Sequence, residues 1–170
     1  MKLKVNSKIF YPGHGPGVIK GTQKIDFAGE VKLYYEFEFI NNELTISTPV
    51  ENVEKLGVRK INKAEDIRKA LKVLKKTPSK KTPTENYNEL MNVIKKKELS
   101  GEIDAFIEII QFCNYVKEER DIDKRLIPTS IVKHIKNCSY YLIGELALAQ
   151  NISYEKASEE FFKITNIDYD

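Results

Sequence analysis

The chain has 170 residues and a formal net charge of +3; 41% of its residues are apolar and 31% are charged. This balance predicts a folded protein with a buried core rather than a disordered chain. The first eight residues are too polar for a secretory signal, and the most apolar run, residues 140–149, is too short to span a membrane. We therefore expect no membrane association. Two cysteines, Cys113 and Cys138, are too few for a disulfide framework and indicate the reducing cytoplasm.

A glycine-rich segment follows the polar start. Residues 12–17 contain three glycines and two prolines between apolar stretches, which is typical of a tight turn between two strands. A phosphate cradle would need Gly-Lys-Ser/Thr or a helix directly after the glycines, and Val18 and Ile19 follow instead. His14 has no Ser, Cys or Asp nearby that would form a catalytic relay. We predict a structural turn.

The segment from residue 8 to residue 59 is predicted to form strands. Residues 31–40 alternate between apolar and polar side chains, as in a half-buried antiparallel strand. Asn41 and Asn42 predict a turn, and residues 44–48 return as a second strand, which ends at Pro49 and suits a sheet edge. Five short strands in about fifty residues predict a small SH3-like antiparallel β barrel.

The pattern becomes helical after Gly57. Asn62 and Glu65 have the spacing of a capping box ahead of a first helix. Apolar residues at helical spacing predict four more helices, which begin near Tyr87, Ile103, Ile131 and Ser153, with a linker at residues 77–83 and a loop at 121–128. We therefore expect an α+β protein of two domains: a β domain over residues 1–60 and an all-α bundle of about five helices over residues 61–170.

Positive charge is concentrated at the start of the helical part. Nine basic residues lie between positions 60 and 82, against only Glu65 and Asp66. Such a stripe favours a polyanion or an acidic protein as partner, but a solvated helix face followed by a lysine-rich linker explains it equally well. Tyr87 follows the stripe. Its register with Leu90 and Ile94 favours core packing over nucleic-acid contact.

No group of residues has the spacing of a catalytic or metal site. His134 and Cys138 lie one helical turn apart and Cys113 is a third candidate ligand, but the closely paired ligands of a structural zinc site are missing. Acidic and basic residues alternate over residues 117–125, as on a solvated helix end. We expect no enzymatic activity, no cofactor, no metal ion and no small-molecule substrate.

Several motifs resemble the CarD/CdnL family of bacterial transcription regulators, whose β domain also occurs in transcription-repair coupling factors. The likeness continues at residues 48–52 and 57–59 and covers nearly the whole chain in order. Its most specific segment, residues 142–149, favours the CarD type over the coupling factors. The opening motif is Tyr11-Pro12-x-His14-Gly15-x-Gly17-x-Ile19, and the later one is Leu-Ile-Gly-Glu-Leu-Ala-Leu-Ala.

The resemblance implies a Tudor- or SH3-like domain that binds the β subunit of RNA polymerase, partly by strand pairing. It also implies a helical domain that contacts double-stranded promoter DNA at the upstream edge of the melted bubble, where a tryptophan of the actinobacterial members acts as a minor-groove wedge. The implied outcome is a stabilised open initiation complex. The residues expected to contact polymerase are Ile25, Leu44, Thr45, Ile46, Ser47 and Thr48.

The expected contact positions differ from those of the relatives. Tyr87 stands at the position of the wedge tryptophan, and Glu89 follows where relatives have a basic residue. Ile25 and Ser47 stand where some relatives have arginines that face polymerase. We therefore expect DNA contact to use Tyr87 together with other basic residues: Lys72, Lys75, Lys76, Lys80, Lys81, Lys95, Lys96, Lys97 and Lys133.

Three functions remain open at this point. The preferred one is a transcription regulator of the CarD type that acts with RNA polymerase on promoter DNA in the nucleoid. The second is a stand-alone, nucleoid-type protein that binds DNA in a salt-dependent way without polymerase contact. The third is an interaction adaptor whose SH3-like module binds an unrelated peptide.

Overall fold

A computed structural model describes residues 3–40, 42–75 and 81–168. Within these residues an antiparallel sheet is followed by a helical bundle, and short 3₁₀ turns at Val50–Asn52 and Lys72–Lys75 follow β4 and α1. This confirms the predicted α+β fold. The strands are β1 (Lys8–Tyr11), β2 (Gly15–Phe27), β3 (Glu30–Phe39), β4 (Asn42–Pro49) and β5 (Arg59–Lys60); the helices are α1 (Ala64–Leu71), α2 (Tyr87–Ser100), α3 (Ile103–Ile122), α4 (Thr129–Gln150) and α5 (Tyr154–Thr165).

The sheet has the strand order β4-β3-β2-β1-β5, with every neighbouring pair antiparallel. Five strands are present in the described residues, as predicted, but β2 with 13 residues and β3 with 10 are longer than expected. Beyond the Tyr34–Pro49 pair, β2 and β3 continue as a two-stranded arm that includes the Ile25–Lys32 pair. Val31 and Leu33 are 61% and 45% exposed on this arm, so the alternation of apolar and polar residues there does not mark a buried face.

The predicted alternation along β3 holds only where the sheet covers a core. Phe37 and Phe39 are buried, as expected from their position on one face. Leu33, assigned to the same face, is 45% exposed because it lies on the arm, beyond the sheet core.

Strand β1 lies between two cores. Ile9 and Tyr11 pack into the sheet core with Phe37, whereas Phe10 is buried in the helical core. Alternate residues of a strand point to opposite faces, so this short strand contributes to both cores. The centroid of the Phe10 ring lies 5.4 Å from the centroid of the Phe106 ring on α3.

The helix starts are set by local capping at two places. Asn86 caps α2, since its side-chain oxygen accepts hydrogen bonds from two backbone N–H groups of the first turn, and Ser153 caps α5 as predicted. The capping box predicted at Asn62 is wrong. Lys63 precedes α1 without a side-chain cap, because the Asn62 side chain instead donates a hydrogen bond to Glu145 of α4, at 2.9 Å.

The glycine-rich segment forms the turn between β1 and β2, as predicted. Gly13 and Gly15 both adopt positive φ angles, of 80° and 98°, which a glycine reaches without a steric cost. The N–H of His14 donates a hydrogen bond to the carbonyl of Tyr11, at 3.0 Å, and the imidazole packs edge-on against the Tyr11 ring. The predicted boundary after residue 60 coincides with the change from strand to helix, and its meaning as a domain division stays a prediction.

Candidate functional site

Strand β4 forms one edge of the sheet. It pairs with β3 on one side, and no described strand pairs with it on the other. The backbone N–H and C=O groups on that open side are positioned to accept a further strand. The six residues expected to contact polymerase therefore include five on an exposed edge, at positions 44–48.

The side chains of β4 divide between the two faces of the sheet. Thr45 and Ser47 are exposed, and the Ser47 hydroxyl accepts a hydrogen bond from Gln23 of β2, at 3.2 Å. Thr48 is buried and its hydroxyl lies 3.2 Å from the Tyr11 hydroxyl, while Ile46 packs against the sheet core. A partner would therefore reach Ile46 and Thr48 through the main chain only, whereas Leu44 is 46% exposed.

Ile25 lies on the arm formed by β2 and β3. It is half-buried, and it is opposite Lys32 in the ladder. Because Gln23 and Ile25 are two residues apart on one strand, they share a face of the sheet. Ile25 and Ser47 thus lie on the same side of the sheet, on β2 and β4.

The charges near this face are paired. Lys32 Nζ lies 3.1 Å from Glu51 and 3.4 Å from Glu30, and Lys20 Nζ lies 3.1 Å from Glu38. The hydrogen bond to Glu51 is the largest cause that raises the pKa of Lys32. Both lysines are therefore paired with carboxylates, and no arginine side chain lies on this face among the described residues.

Tyr87 begins α2 and is half-buried. Its ring packs against the helical core, and its hydroxyl forms a hydrogen bond with the Ser130 hydroxyl at the start of α4. Core packing and surface exposure are thus combined in one side chain. The exposed part of Tyr87 lines a surface cleft beside α3.

This cleft has a volume of about 490 Å³ and carries both signs of charge. The Arg120 side chain donates a hydrogen bond to the carbonyl of Leu126, at 3.0 Å, and the Tyr115 hydroxyl donates one to Glu119, at 2.6 Å. The latter bond is the main cause that raises the pKa of Tyr115. The cleft is lined by Lys81, Thr82, Thr84, Glu85, Tyr87, Leu90, Tyr115, Val116, Glu119, Arg120 and Arg125.

The other lysines expected to contact DNA lie on different elements. Lys95 and Lys96 are exposed on α2, and Lys133 is exposed on α4. Lys97 is instead held by an ion pair with Glu108 of α3, at 2.5 Å. Lys72 and Lys75 are exposed on the 3₁₀ turn after α1; Lys76 and Lys80, and residues 77–80 of the predicted linker, lie outside the described residues.

The sequence did not indicate that Arg120 and Arg125 contribute to the cleft beside Tyr87. Both were assigned to a solvated helix end, yet both line the cleft beside Tyr87 and Lys81. The only signal in the sequence was the presence of two arginines, one near the end of α3 and one just after it, in a run of mixed charge. Their proximity to Tyr87 depends on the packing of α2 against α3, which the sequence did not specify.

The residues considered as metal ligands are otherwise engaged. His134 Nδ1 lies 2.9 Å from Glu98 Oε2 of α2, and Asn137 donates a hydrogen bond to the other Glu98 oxygen. Cys113 and Cys138 are buried, and burial raises the pKa of the Cys113 thiol to about 12 and also raises that of Cys138. In the part of the chain that the structure describes, no three potential ligands cluster around a metal position.

The described helices were also compared with the length and apolarity that a membrane span requires. None of them is both long enough and apolar enough to cross a bilayer.

Comparison with known proteins finds two similarities. Residues 3–62 match the model of the CarD-like/TRCF RID domain, so the match includes the sheet and the edge strand β4. The chain is also 22% identical, over 159 residues, to a Bacillus subtilis (strain 168) protein named "Putative transcription factor YdeB", and the alignment covers 94% of this chain and 99% of that protein. Residues 3–62 are therefore similar to a CarD-like/TRCF RID domain, and the two comparisons together support a transcription-related, CarD-like family.

Proposed function

We propose that this protein is a non-enzymatic transcription regulator that binds the β subunit of RNA polymerase and double-stranded promoter DNA and stabilises the open initiation complex. The observation that carries the proposal is the open edge of β4 within the matched CarD-like/TRCF RID domain. The same proposal places the protein in the cytoplasm, associated with the nucleoid.

The polymerase contact is proposed to form by strand addition at β4. This strand is eight residues long, and a partner strand along it gains main-chain hydrogen bonds without requiring particular side chains. The exposed side chains of Thr45 and Ser47 are small and do not obstruct a partner. Strand addition therefore remains available although Ile25 and Ser47 replace the arginines of some relatives.

The DNA contact is proposed to centre on the cleft beside Tyr87. Lys81 and Arg120 are cations that can neutralise phosphates. Arg125 is paired with the carboxylate of Asp123, and the exposed part of the Tyr87 ring can stack on a base or sugar. Exposed Lys95, Lys96 and Lys133 extend the basic surface to α2 and α4. Glu85 and Glu119 in the same cleft weaken this attraction, so we expect modest DNA affinity without polymerase.

Such a regulator needs no active site. A protein that binds the open complex more tightly than the closed one shifts the equilibrium by the difference between the two binding free energies. Two weak contacts, one to polymerase and one to DNA, reinforce each other when both partners are held in one complex.

The changes at Ile25 and Ser47 support a second candidate, a stand-alone DNA-binding protein. Without the two arginines, polymerase affinity at this face is reduced relative to those members. This candidate predicts duplex binding with a steep salt dependence and no association with polymerase.

A pull-down with the tagged full-length chain separates these functions. The lysate is divided by nuclease treatment and by two salt concentrations. We expect the polymerase β subunit to be retained after nuclease treatment, because strand pairing does not require DNA. Loss of polymerase with nuclease, while purified duplex still binds, supports the stand-alone protein; loss of both supports an adaptor.

A gain-of-function variant locates the polymerase contact. Ser47→Arg restores an arginine on the proposed contact face, and we expect it to raise polymerase affinity by about tenfold, the effect of one charge-assisted contact of about 1.4 kcal/mol. Thr22→Arg is the matched control, since it adds the same charge at another exposed position of the sheet. Equal affinities of the two variants, measured by fluorescence titration with purified polymerase, would place the contact elsewhere.

A further inference from the structure

A buried carboxylate joins the sheet to the helical bundle. Glu145 of α4 has 0% of its side chain exposed, in a position where an ionised group is costly unless it is paired and hydrogen-bonded. Four donors satisfy it. Arg59 Nη1 and Nη2 lie 2.7 and 3.0 Å from its two oxygens, and the backbone N–H and side-chain amide of Asn62 lie 2.6 and 2.9 Å from Oε1.

Arg59 extends this network to a third segment. It lies on β5, and its Nε and Nη2 donate hydrogen bonds of 3.0 and 2.6 Å to the carbonyl of Gly101, between α2 and α3. The guanidinium carbon also lies 4.7 Å from the centroid of the Phe10 ring on β1. One side chain therefore contacts the sheet, the α2–α3 connection and α4.

Close glycine contacts surround the network. A Cβ on Gly144 would lie 2.6 Å from Pro16, and one on Gly15 would lie 2.9 Å from the Tyr141 ring. Lys8 of β1 donates a 2.6 Å hydrogen bond to the carbonyl of Leu148, near the end of α4. The glycine-rich turn and the residue 142–149 motif, which together carry the family resemblance, are thus in direct contact with each other.

The hydrogen bonds of Arg59, Asn62 and Glu145 form a joint between the sheet and the bundle. Directional bonds restrict the angle at such a joint more than apolar packing does. Apolar surfaces tolerate small rotations at little cost, whereas a bidentate arginine–carboxylate pair has one favourable geometry. Buried polar groups are known to select one arrangement in some proteins, even where they add little stability. The network of Arg59, Asn62 and Glu145 is therefore suited to fix an angle.

We infer that Glu145, through Arg59 and Asn62, fixes the orientation of the sheet relative to the helical bundle, so that the β4 edge and the Tyr87 cleft reach polymerase and DNA at the same time. This inference rests on the proposed function. Rigid spacing raises the effective concentration of the second contact once the first has formed. Glu145, Arg59 and Asn62 are then positioning residues that touch neither partner.

The orientation is measured directly by electron–electron resonance between two spin labels. Thr22→Cys on the sheet and Lys96→Cys on α2 provide exposed labelling sites, while the buried Cys113 and Cys138 do not compete for the label. We expect one narrow distance distribution in the parent protein and a broadened distribution in Arg59→Lys and Glu145→Gln. Asn62→Ala removes only the side-chain donor to Glu145 and keeps the backbone donor. This milder variant replaces Arg59→Lys or Glu145→Gln in the measurement if either of them unfolds.

A matched control distinguishes the effect of losing the joint from the effect of losing any salt bridge. Arg68 forms a 2.5 Å ion pair with Glu160 and a hydrogen bond to Gln150, entirely within the helical bundle. Arg68→Lys makes the same chemical change as Arg59→Lys, and we expect it to leave the distance distribution narrow. Narrow distributions in all folded joint variants would overturn the inference.

The functional readout compares separate and combined binding. Loosening the joint is expected to leave affinities for polymerase alone and duplex alone within about twofold, and to lower affinity for the polymerase–promoter complex by at least about tenfold. Broadened distances with unchanged affinity for the complex would also overturn the inference. If the parent protein binds neither polymerase nor DNA, the proposed function fails, and the distance measurements still decide whether Glu145 sets the orientation.

Discussion

At the scale of single residues, Tyr87 has two environments. Its ring packs against the helical core while its other side lines the cleft with Lys81, Arg120 and Arg125. The hydrogen bond to Ser130 holds its hydroxyl at the start of α4. A side chain anchored at its tip is suited to stacking or to contact along its exposed edge, and less suited to full insertion between base pairs.

The bond between Tyr87 and Ser130 is testable by a double-mutant cycle. Tyr87→Phe and Ser130→Ala each remove one partner and are expected to lower the free energy of unfolding by about 1 kcal/mol. Because both remove the same bond, the double variant should lose little more than either single variant. Urea denaturation followed by circular dichroism measures all four proteins. Fully additive losses would show that the two hydroxyls do not stabilise each other.

At the scale of elements, α2 carries much of the proposed DNA surface. Tyr87 lies in its first turn and Lys95 and Lys96 in its last two turns. Its start depends on Asn86, whose Oδ1 accepts hydrogen bonds from the N–H groups of Asn88 and Glu89, at 3.0 and 3.3 Å. The cap therefore sets where the helix begins and where Tyr87 is presented.

Asn86→Ala removes this cap. We expect a loss of about 1 kcal/mol in the free energy of unfolding, because two N–H groups of the first turn lose their acceptor. Faster hydrogen exchange in the first turn of α2, but not in α4, would show that the effect is local. The control is Asn88→Ala, which changes an exposed asparagine on the same turn without touching the cap; an equal loss there would contradict the capping role.

At the scale of the whole molecule, the sheet and the bundle share one strand. Phe10 of β1 is fully buried among helical residues, while its neighbours Ile9 and Tyr11 belong to the sheet core. The loss of either core would therefore expose a face of β1. We expect the two parts to unfold in a single cooperative transition, although the sequence predicts two domains.

Phe10→Ala tests this cooperativity. Removing a fully buried aromatic side chain is expected to cost about 3–5 kcal/mol, and the loss should appear equally in sheet and helices when measured by native-state hydrogen exchange. Phe37→Ala, which removes a ring from the sheet core alone, is the matched comparison. Two separate transitions, with only the helices destabilised by Phe10→Ala, would show that the parts unfold independently.

The sequence alone determined the features that depend on neighbouring residues. Helical periodicity located the helices, and the glycines and prolines of residues 12–17 located a turn, because backbone angles and amphipathic faces are local properties. The opening motif and residues 142–149 also carried the resemblance to the CarD-like family, which the comparisons support. The edge position of β4 was predictable in outline from Pro49.

Only the tertiary structure decided which distant residues meet. Asn62 had the spacing of a cap and instead binds Glu145, a carboxylate within the residue 142–149 motif whose partners the sequence does not reveal. Arg120 and Arg125 lie in a solvated helix end, as the sequence indicates, and the fold also brings them to the cleft with Tyr87. In each case the partner lies far along the chain, and long-range packing, which no local pattern encodes, determines whether a charge is solvated, paired or part of a surface.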